Sequence, residues 1–353
     1  GLRSPHSVSL KPMRDALLAL GDHPIFRRLS PWVGYFLASV VFTWPLVLHL
    51  DQALMGYPSI DSQDTLSLRG LVAELLLNPG DWPQSQDVYF PIGYPILLLT
   101  PNLLDHLTAA PLVWLLPFPL ADNLWWLFIL TLNGWAAHRL GRRVGESEGA
   151  AWLCGLAFLV SEPLLREANL SHAPQSMLFW APLYLEAVLD LRDDRGSAKR
   201  AAIRAGIFLA LAGLSYWYLA FFLVLSSLPL LWGIPLRNLS WTGGISAVLT
   251  APFLLHQLVG WNSRPLTSRD IELAPASDVP ESFSVIDEAH VFVTQHGSEP
   301  LWFLGGAPID MSSQVSLVLL VAAGLGVRSS PHRWRLLGMA AVGATMVLGP
   351  YLR

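Results

Sequence analysis

The segment Gly56-Tyr57-Pro58-Ser59-Ile60-Asp61-Ser62-Gln63-Asp64 sets two carboxylates three residues apart, just beyond an apolar run from Trp32 to Leu50. At the edge of an apolar medium a carboxylate holds its proton more tightly, which suits it to act as a general base or to bind a metal. Asp64 also has a purely structural reading. The pattern Leu66, Leu68, Leu71, Val72, Leu75 and Leu76 predicts a helix over Thr65 to Leu77 lying along an interface, with Asp64 at its N-cap. A second stretch, Ser161 to His172, gathers Glu162, Arg166, Glu167 and His172. Glu162 and Arg166, four residues apart, can simply pair on a helix, and His172 is either a hydrogen-bonded interface histidine or a binding or catalytic group. Arginine's planar fork suits phosphate oxygens, so Arg69 and Arg166 are the candidate phosphate ligands, unless each only balances a neighbouring acid. Asp287, Glu288, His290 and His296 form a weaker cluster that could hold a divalent cation. Their spacing matches no zinc motif, and a solvated loop is the plainer account.

The elements that must position these groups are apolar. Of 353 residues, 53% are hydrophobic and 14% charged, with a mean hydropathy of +0.45. That balance excludes disorder and argues against a soluble two-domain enzyme. A bilayer crossing takes about 20 apolar residues. Windows of that kind run from Trp32 to Leu50, Leu120 to His138, Gly149 to Leu165, Gln175 to Leu191, Ala201 to Trp217, Tyr218 to Gly233, Trp241 to Val259, Met311 to Val327 and Leu336 to Leu352. The fold expected is all-α, a polytopic transmembrane bundle of about nine spans with interfacial helices. Its parts are an N-terminal segment 1–31, a core 32–259 with a first external loop 51–119, a long external loop 260–310, and two last spans in 311–353. The start without Met and the stop at Arg353 after an apolar segment fit a trimmed chain that continues further.

Orientation follows from the basic residues. If Pro101 to Phe118, which carries three prolines, Asp105 and His106, lies along the outer interface without crossing, 17 of the 22 Lys and Arg fall on the side of the N-terminus. By the positive-inside rule that side is cytoplasmic. The outer connections then hold most of the acidic residues. A single cysteine, Cys154, gives no disulfide framework, and a net charge of −4 gives no reason to expect nucleic acid. Phosphate-loop, dinucleotide and nucleophile-elbow signatures are absent.

The order of these pieces resembles a family. A first span is followed by an acidic residue, an amphipathic helix, Tyr-Phe-Pro-Ile-Gly-Tyr-Pro (Tyr89 to Pro95), a second amphipathic helix, and Asn123-Leu124 opening the next span. Ala136 to Arg142, Gly155 to Phe158, Ser171 to Gln175 and Trp180 to Leu183 continue the likeness. Over residues 32 to 220 the chain resembles the polytopic C-type glycosyltransferases of bacteria, which use polyprenyl-phosphate-linked sugars. The resemblance implies a protein of the bacterial inner membrane that moves a sugar to an acceptor on the external face. It maps the catalytic base onto Asp64 or Asp61; their position at the outer membrane edge makes Arg69, Glu162, Arg166, Glu167 and His172 the candidates at the substrate. Membrane lipids, the lipid-linked donor and membrane protein partners are the companions it implies. A non-catalytic membrane subunit built on the same fold is the other reading. A transporter is the third, although few embedded charges, Glu186 and Asp190 among them, would line its path.

Overall fold

The computed structural model describes residues 24–56, 60–78, 84–85, 94–95, 102–145, 147–262, 290–292 and 330–348. In chain order the elements are α1 (Pro24–Phe42), β1 (Ala53–Met55), α2 (Ile60–Leu77), β2 (Gln84–Ser85), β3 (Tyr94–Pro95), α3 (Leu103–Leu115), α4 (Phe118–Gly145), α5 (Glu148–Leu159), α6 (Glu162–Asn169), α7 (Ala173–Ser176), α8 (Trp180–Arg192), α9 (Ala198–Ser215), α10 (Trp217–Leu231), α11 (Leu236–Asn262), β4 (His290–Phe292) and α12 (Arg333–Leu348). The molecule is mostly helical, as its apolar periodicity implies. Two small ladders complete it: β1 runs parallel to β4 with Ala53 opposite His290, and β2 runs antiparallel to β3 with Gln84 opposite Pro95.

The 28-residue α4 is the axis. It is antiparallel to α1, since Tyr35 reaches His138 at 3.1 Å and Ser39 faces Thr131. It is parallel to α8, since Asn133 donates to the Ser176 carbonyl, Arg139 pairs with Glu186, and Arg143 pairs with Asp190. The close approach of α1, α4 and α5 depends on missing side chains: a Cβ on Gly155 would sit 2.1 Å from the Tyr35 hydroxyl. The interior mixes large apolar side chains, among them Trp125, Trp126, Ile129 and Phe179, with small and polar ones: Ala201, Ala202, Ala205, Ala210 and Ala212 of α9 are buried, as are Ser39, Asn133, His138 and Ser227. Many large apolar side chains also face outward, among them Phe221, Phe222 and Leu228 of α10 and Val248, Leu255 and Leu258 of α11.

Several sequence expectations are corrected. Among the described residues one stretch, Glu148–Asn169, is long and apolar enough to cross a membrane, so the nine spans counted from hydropathy are not matched. Hydropathy windows ignore where helices stop. The first helix starts at Pro24 and ends at Phe42, ahead of Trp44 and Pro45, so residues 24–31 are not a separate N-terminal segment. Helix α8 begins at Trp180 rather than near Gln175, because the α7 turn intervenes. The window Met311 to Val327 lies outside the described residues. Helix α2 starts at Ile60, so Asp64 is inside the helix and is not its N-cap. Ser161 to His172 is not a loop but the helix α6 and its turn, with Leu164 and Ala168 packed inward. At 13 residues, roughly 20 Å, α3 is too short to cross a bilayer, as its prolines and charges imply.

Candidate functional site

One end of the bundle collects the residues singled out in the sequence, and a few side chains lock its geometry. Asn123, buried in the first turns of α4, accepts from the Met55 N–H at 3.1 Å and donates to the carbonyls of Leu50 at 2.9 Å and Ala53 at 2.6 Å. One amide side chain thus fixes the whole turn leading into β1. Ser171, after α6, donates its hydroxyl to the Met55 carbonyl. Gly56 makes this joint feasible: its φ is +109°, and a Cβ there would lie 2.7 Å from the Ser171 hydroxyl oxygen. The first and second segments of the sequence reading therefore meet at Met55 and Ser171. From Gly56 to the start of α2 at Ile60 the chain spans at most about 14 Å, which tethers the start of α2 to this joint. Asp64 is exposed.

Helix α6 starts at Glu162 with Pro163 in its first turn, exposes Arg166, and half-buries Glu167. The chain then turns back through Ser171, whose φ is 59°. His172 is tied twice to Glu167: its backbone N–H donates to the Glu167 carbonyl at 2.9 Å, and its Nδ1 lies 2.7 Å from Oε2. A carboxylate accepts from an Nδ1–H, so this contact orients the imidazole ring. Tyr216, following α9, bonds Gln175 and feels the Glu167 charge, which brings a phenol to the same corner. Trp180 at the start of α8 donates to Ser215 at 2.9 Å and holds that corner closed.

Beneath this corner lies an ionic cluster that sequence reasoning missed. Arg69 of α2, fully buried, bonds Asp105 of α3 at 2.7 Å and pairs with Asp122 of α4. The Trp125 indole donates to the other Asp105 oxygen at 2.6 Å, and His106 sits beside the same carboxylate at 3.6 Å. Of the two readings of Arg69, phosphate ligand or balance to an acid, the geometry fits the second: with no exposed surface, it clamps α2 onto α3 and α4. The available signal was Asp105 and Asp122 themselves, acids in apolar stretches that demand a cation. Burial holds the His106 imidazole down at about 4, with Asp105 opposing and Arg69 reinforcing that shift, so it is neutral at pH 7.

Trp125 also forms part of the wall of a groove of about 620 Å³ between α1, α3 and α4. Leu124, Trp125, Phe128 and Thr131 line it along α4, Trp32 and Phe36 along α1, and Leu112 along α3. Its wall is almost wholly apolar, and its upper end lies next to the Asp105–Arg69 pair through the Trp125 indole.

Of the weaker cation candidates, Asp287, Glu288 and His296 lie outside the described residues, and His290 is described only as backbone opposite Ala53. Among the described residues no group of three or more His, Cys, Asp or Glu side chains could hold a metal ion. Compared with family models, curated proteins and solved structures, the chain matches none.

Proposed function

We propose that the chain is a multi-pass protein of the bacterial inner membrane, N-terminus cytoplasmic, that moves a sugar from a polyprenyl-phosphate donor to an acceptor at the external face. The membrane part rests on the many large apolar side chains exposed on the outer surface, together with small and polar residues buried between helices, which suits a lipid solvent. It also rests on spacing. Asp122 and Arg143, in the two ionic layers at opposite ends of α4, are 21 residues apart, about 32 Å of helix, against roughly 30 Å of hydrocarbon.

The observation that carries the functional reading is the groove. An apolar slot along α4, with Trp125 bonded to the Asp105–Arg69 cluster in its wall, suits a lipid tail that stays in the bilayer. On this reading the phosphate it carries reaches the Glu167–His172 corner at the same end of the bundle. In a single inverting displacement the acceptor oxygen attacks the anomeric carbon. The bond from that carbon to the phosphate oxygen breaks, and its electron pair leaves with the polyprenyl phosphate. The acceptor proton passes to Asp64, or to Asp61. Arg166, exposed on α6, is the cation available to the departing phosphate now that Arg69 is committed inside. The Glu167–His172 pair, with Glu162 at the head of the same helix, forms the substrate side of the corner.

Purified full-length protein in a transfer assay with a lipid-linked sugar tests this reading. Asp64→Asn or Asp61→Asn should lower the rate about 10²–10⁴-fold, the usual cost of losing a general base. Transfer at the unmodified rate by both variants would refute the assignment. A second reading, a non-catalytic membrane subunit on the same fold, is favoured by one observation: the arginine nearest the two aspartates in sequence is locked in a buried structural cluster. That reading expects a membrane protein partner to co-purify and no transfer by the unmodified chain.

A further inference from the structure

The opposite end of the bundle, where α4, α8 and α10 end and α9, α11 and α12 begin, carries a surface the proposed transfer does not use. Most of its acids are held in ion pairs, although Asp194 of the α8–α9 turn and Glu148 at the start of α5 are exposed. Asp190 accepts from Arg143 at 2.7 Å and Arg204 at 2.6 Å, Asp193 accepts from Arg143 at 2.6 Å and meets His332 at 3.1 Å, and Glu186 accepts from Arg139 at 2.9 Å. Arg192 donates to the carbonyls of Leu230 and Trp232, so the α8–α9 turn, the α10–α11 turn and the start of α12 form one fastened platform. The outward side of this platform is cationic: Lys199, Arg200, Arg237 and Arg333 are exposed and Arg335 half-exposed. No acidic residue lies in the first turn of α9, α11 or α12 to offset them.

Tryptophans lie in the same layer. Lys199 stands over the Trp241 ring at 4.6 Å and Arg333 over the Trp334 ring at 5.6 Å, while Trp232 is 81% exposed. Exposed indoles beside cations mark the depth at which a bilayer passes from hydrocarbon to headgroup. We propose that this platform is a docking surface for the anionic phospholipid headgroups of the cytoplasmic leaflet, a proposal that rests on the membrane reading above. Charge complementarity selects that occupant. The cations face a plane where phosphates lie, and the indoles anchor them at that depth. Glu186, Asp190 and Asp193 are occupied by arginines, so the exposed cations outnumber the exposed Asp194 beside them. Each basic residue near an anionic leaflet strengthens attraction about fivefold.

The test uses the full chain purified in neutral detergent, with bound lipid measured by native mass spectrometry against phosphatidylglycerol and phosphatidylcholine. Phosphatidylglycerol should bind at least tenfold tighter, and inorganic phosphate at matched concentration should not displace it. The triple variant Lys199→Gln, Arg200→Gln, Arg237→Gln should lose tenfold or more of phosphatidylglycerol affinity and keep its phosphatidylcholine binding. Unchanged thermal melting of the variant shows that the fold is intact. Should melting change, Arg237→Gln alone must still lower the preference, severalfold. Equal binding of the two lipids, an unaffected variant, or displacement by free phosphate overturns the proposal while leaving the membrane reading in place. A chain that stays monodisperse without detergent and takes up neither lipid overturns both.

Discussion

The two ends of α4 hold their charges in opposite ways. At the Asp122 end, Arg69 and Asp105 are fully buried, and two carboxylates share one guanidinium with an indole as an added donor. At the Arg143 end the pairs are partly wet: Arg204 is 41% exposed and Asp193 24%, and each ion has more than one partner or a ready path to water. The first arrangement fixes geometry at the cost of fragility. Removing one member strands the others in a dry interior, whereas the second degrades by degrees. A fixed, brittle end is suited to placing catalytic groups, and a graded one to meeting a charged surface.

The largest expected effect comes from breaking the dry end. Arg69→Met should destabilise the protein by about 3–5 kcal/mol, because Asp105 and Asp122 would remain buried without a cation. Adding Asp105→Asn and Asp122→Asn to Arg69→Met should recover most of that loss. Thermal melting of the variants in detergent measures both, and a single-variant loss below about 1 kcal/mol would erase the contrast between the ends.

Acidity separates them next. His106 has a depressed folded-state pKa of about 4 against 6.5 when unfolded, chiefly through burial. The unfolded chain therefore binds the proton first, and stability falls as pH drops from 6.5 toward 4. The whole shift corresponds to up to about 3 kcal/mol. Burial pushes the Asp193 carboxyl up, but hydrogen bonds from Arg143 and His332 outweigh it, and its pKa ends below the ordinary 3.8. Its contribution is present above that value and is lost only at lower pH. Melting followed from pH 7.5 to 4.5 should show a slope that His106→Gln flattens. An identical slope in that variant would mean that the dry end does not titrate in this window.

The joint between the first and second segments offers a third probe. Gly56→Ala puts a side chain at φ +109° and against Ser171, so a loss of about 1–3 kcal/mol is expected. Alanine tolerated there without a shift in melting would mean that β1 and the α6 turn are not held together as described.

How much of this was legible in the sequence differs between the two ends. The helical class follows from apolar periodicity, but Glu167 and His172, five residues apart, meet only because the chain turns back at Ser171, whereas helical spacing pointed to Glu162 with Arg166. The wet network also has a sequence trace, since its arginines cluster in the last turns of α4 and around the α8–α9 turn. The Arg69 cluster was not legible. Its three charges come from three helices, and nothing local ties Arg69 to Asp105, 36 residues on. Helix ends were misjudged for a related reason. A hydropathy window sums side chains and does not see that Pro45 or the α7 turn closes a helix within an apolar run.

The smallest effect is expected at the wet end, and it sharpens the comparison most. Arg204 donates to Asp190 at 2.6 Å, a geometry no worse than that of Arg69 with Asp105 at 2.7 Å. If distance alone governed the strength of an ion pair, the two would cost the same to break. Solvent sets them apart. The Arg204 side chain is 41% exposed and already partly hydrated, and Asp190 keeps Arg143 at 2.7 Å when Arg204 is gone. Removing it strands no charge, so Arg204→Gln should cost less than about 1 kcal/mol, the range of exposed pairs. Mobile ions also reach this end, and at 1 M salt, where screening acts over roughly 3 Å, the small loss should shrink further while the Arg69→Met loss stays put. Melting both variants at low and high salt gives the answer directly. If the Arg204 loss rivals that of Arg69, or if both respond alike to salt, burial is not what distinguishes the ends, and the dry cluster has no special claim to hold α2 and its aspartates in place.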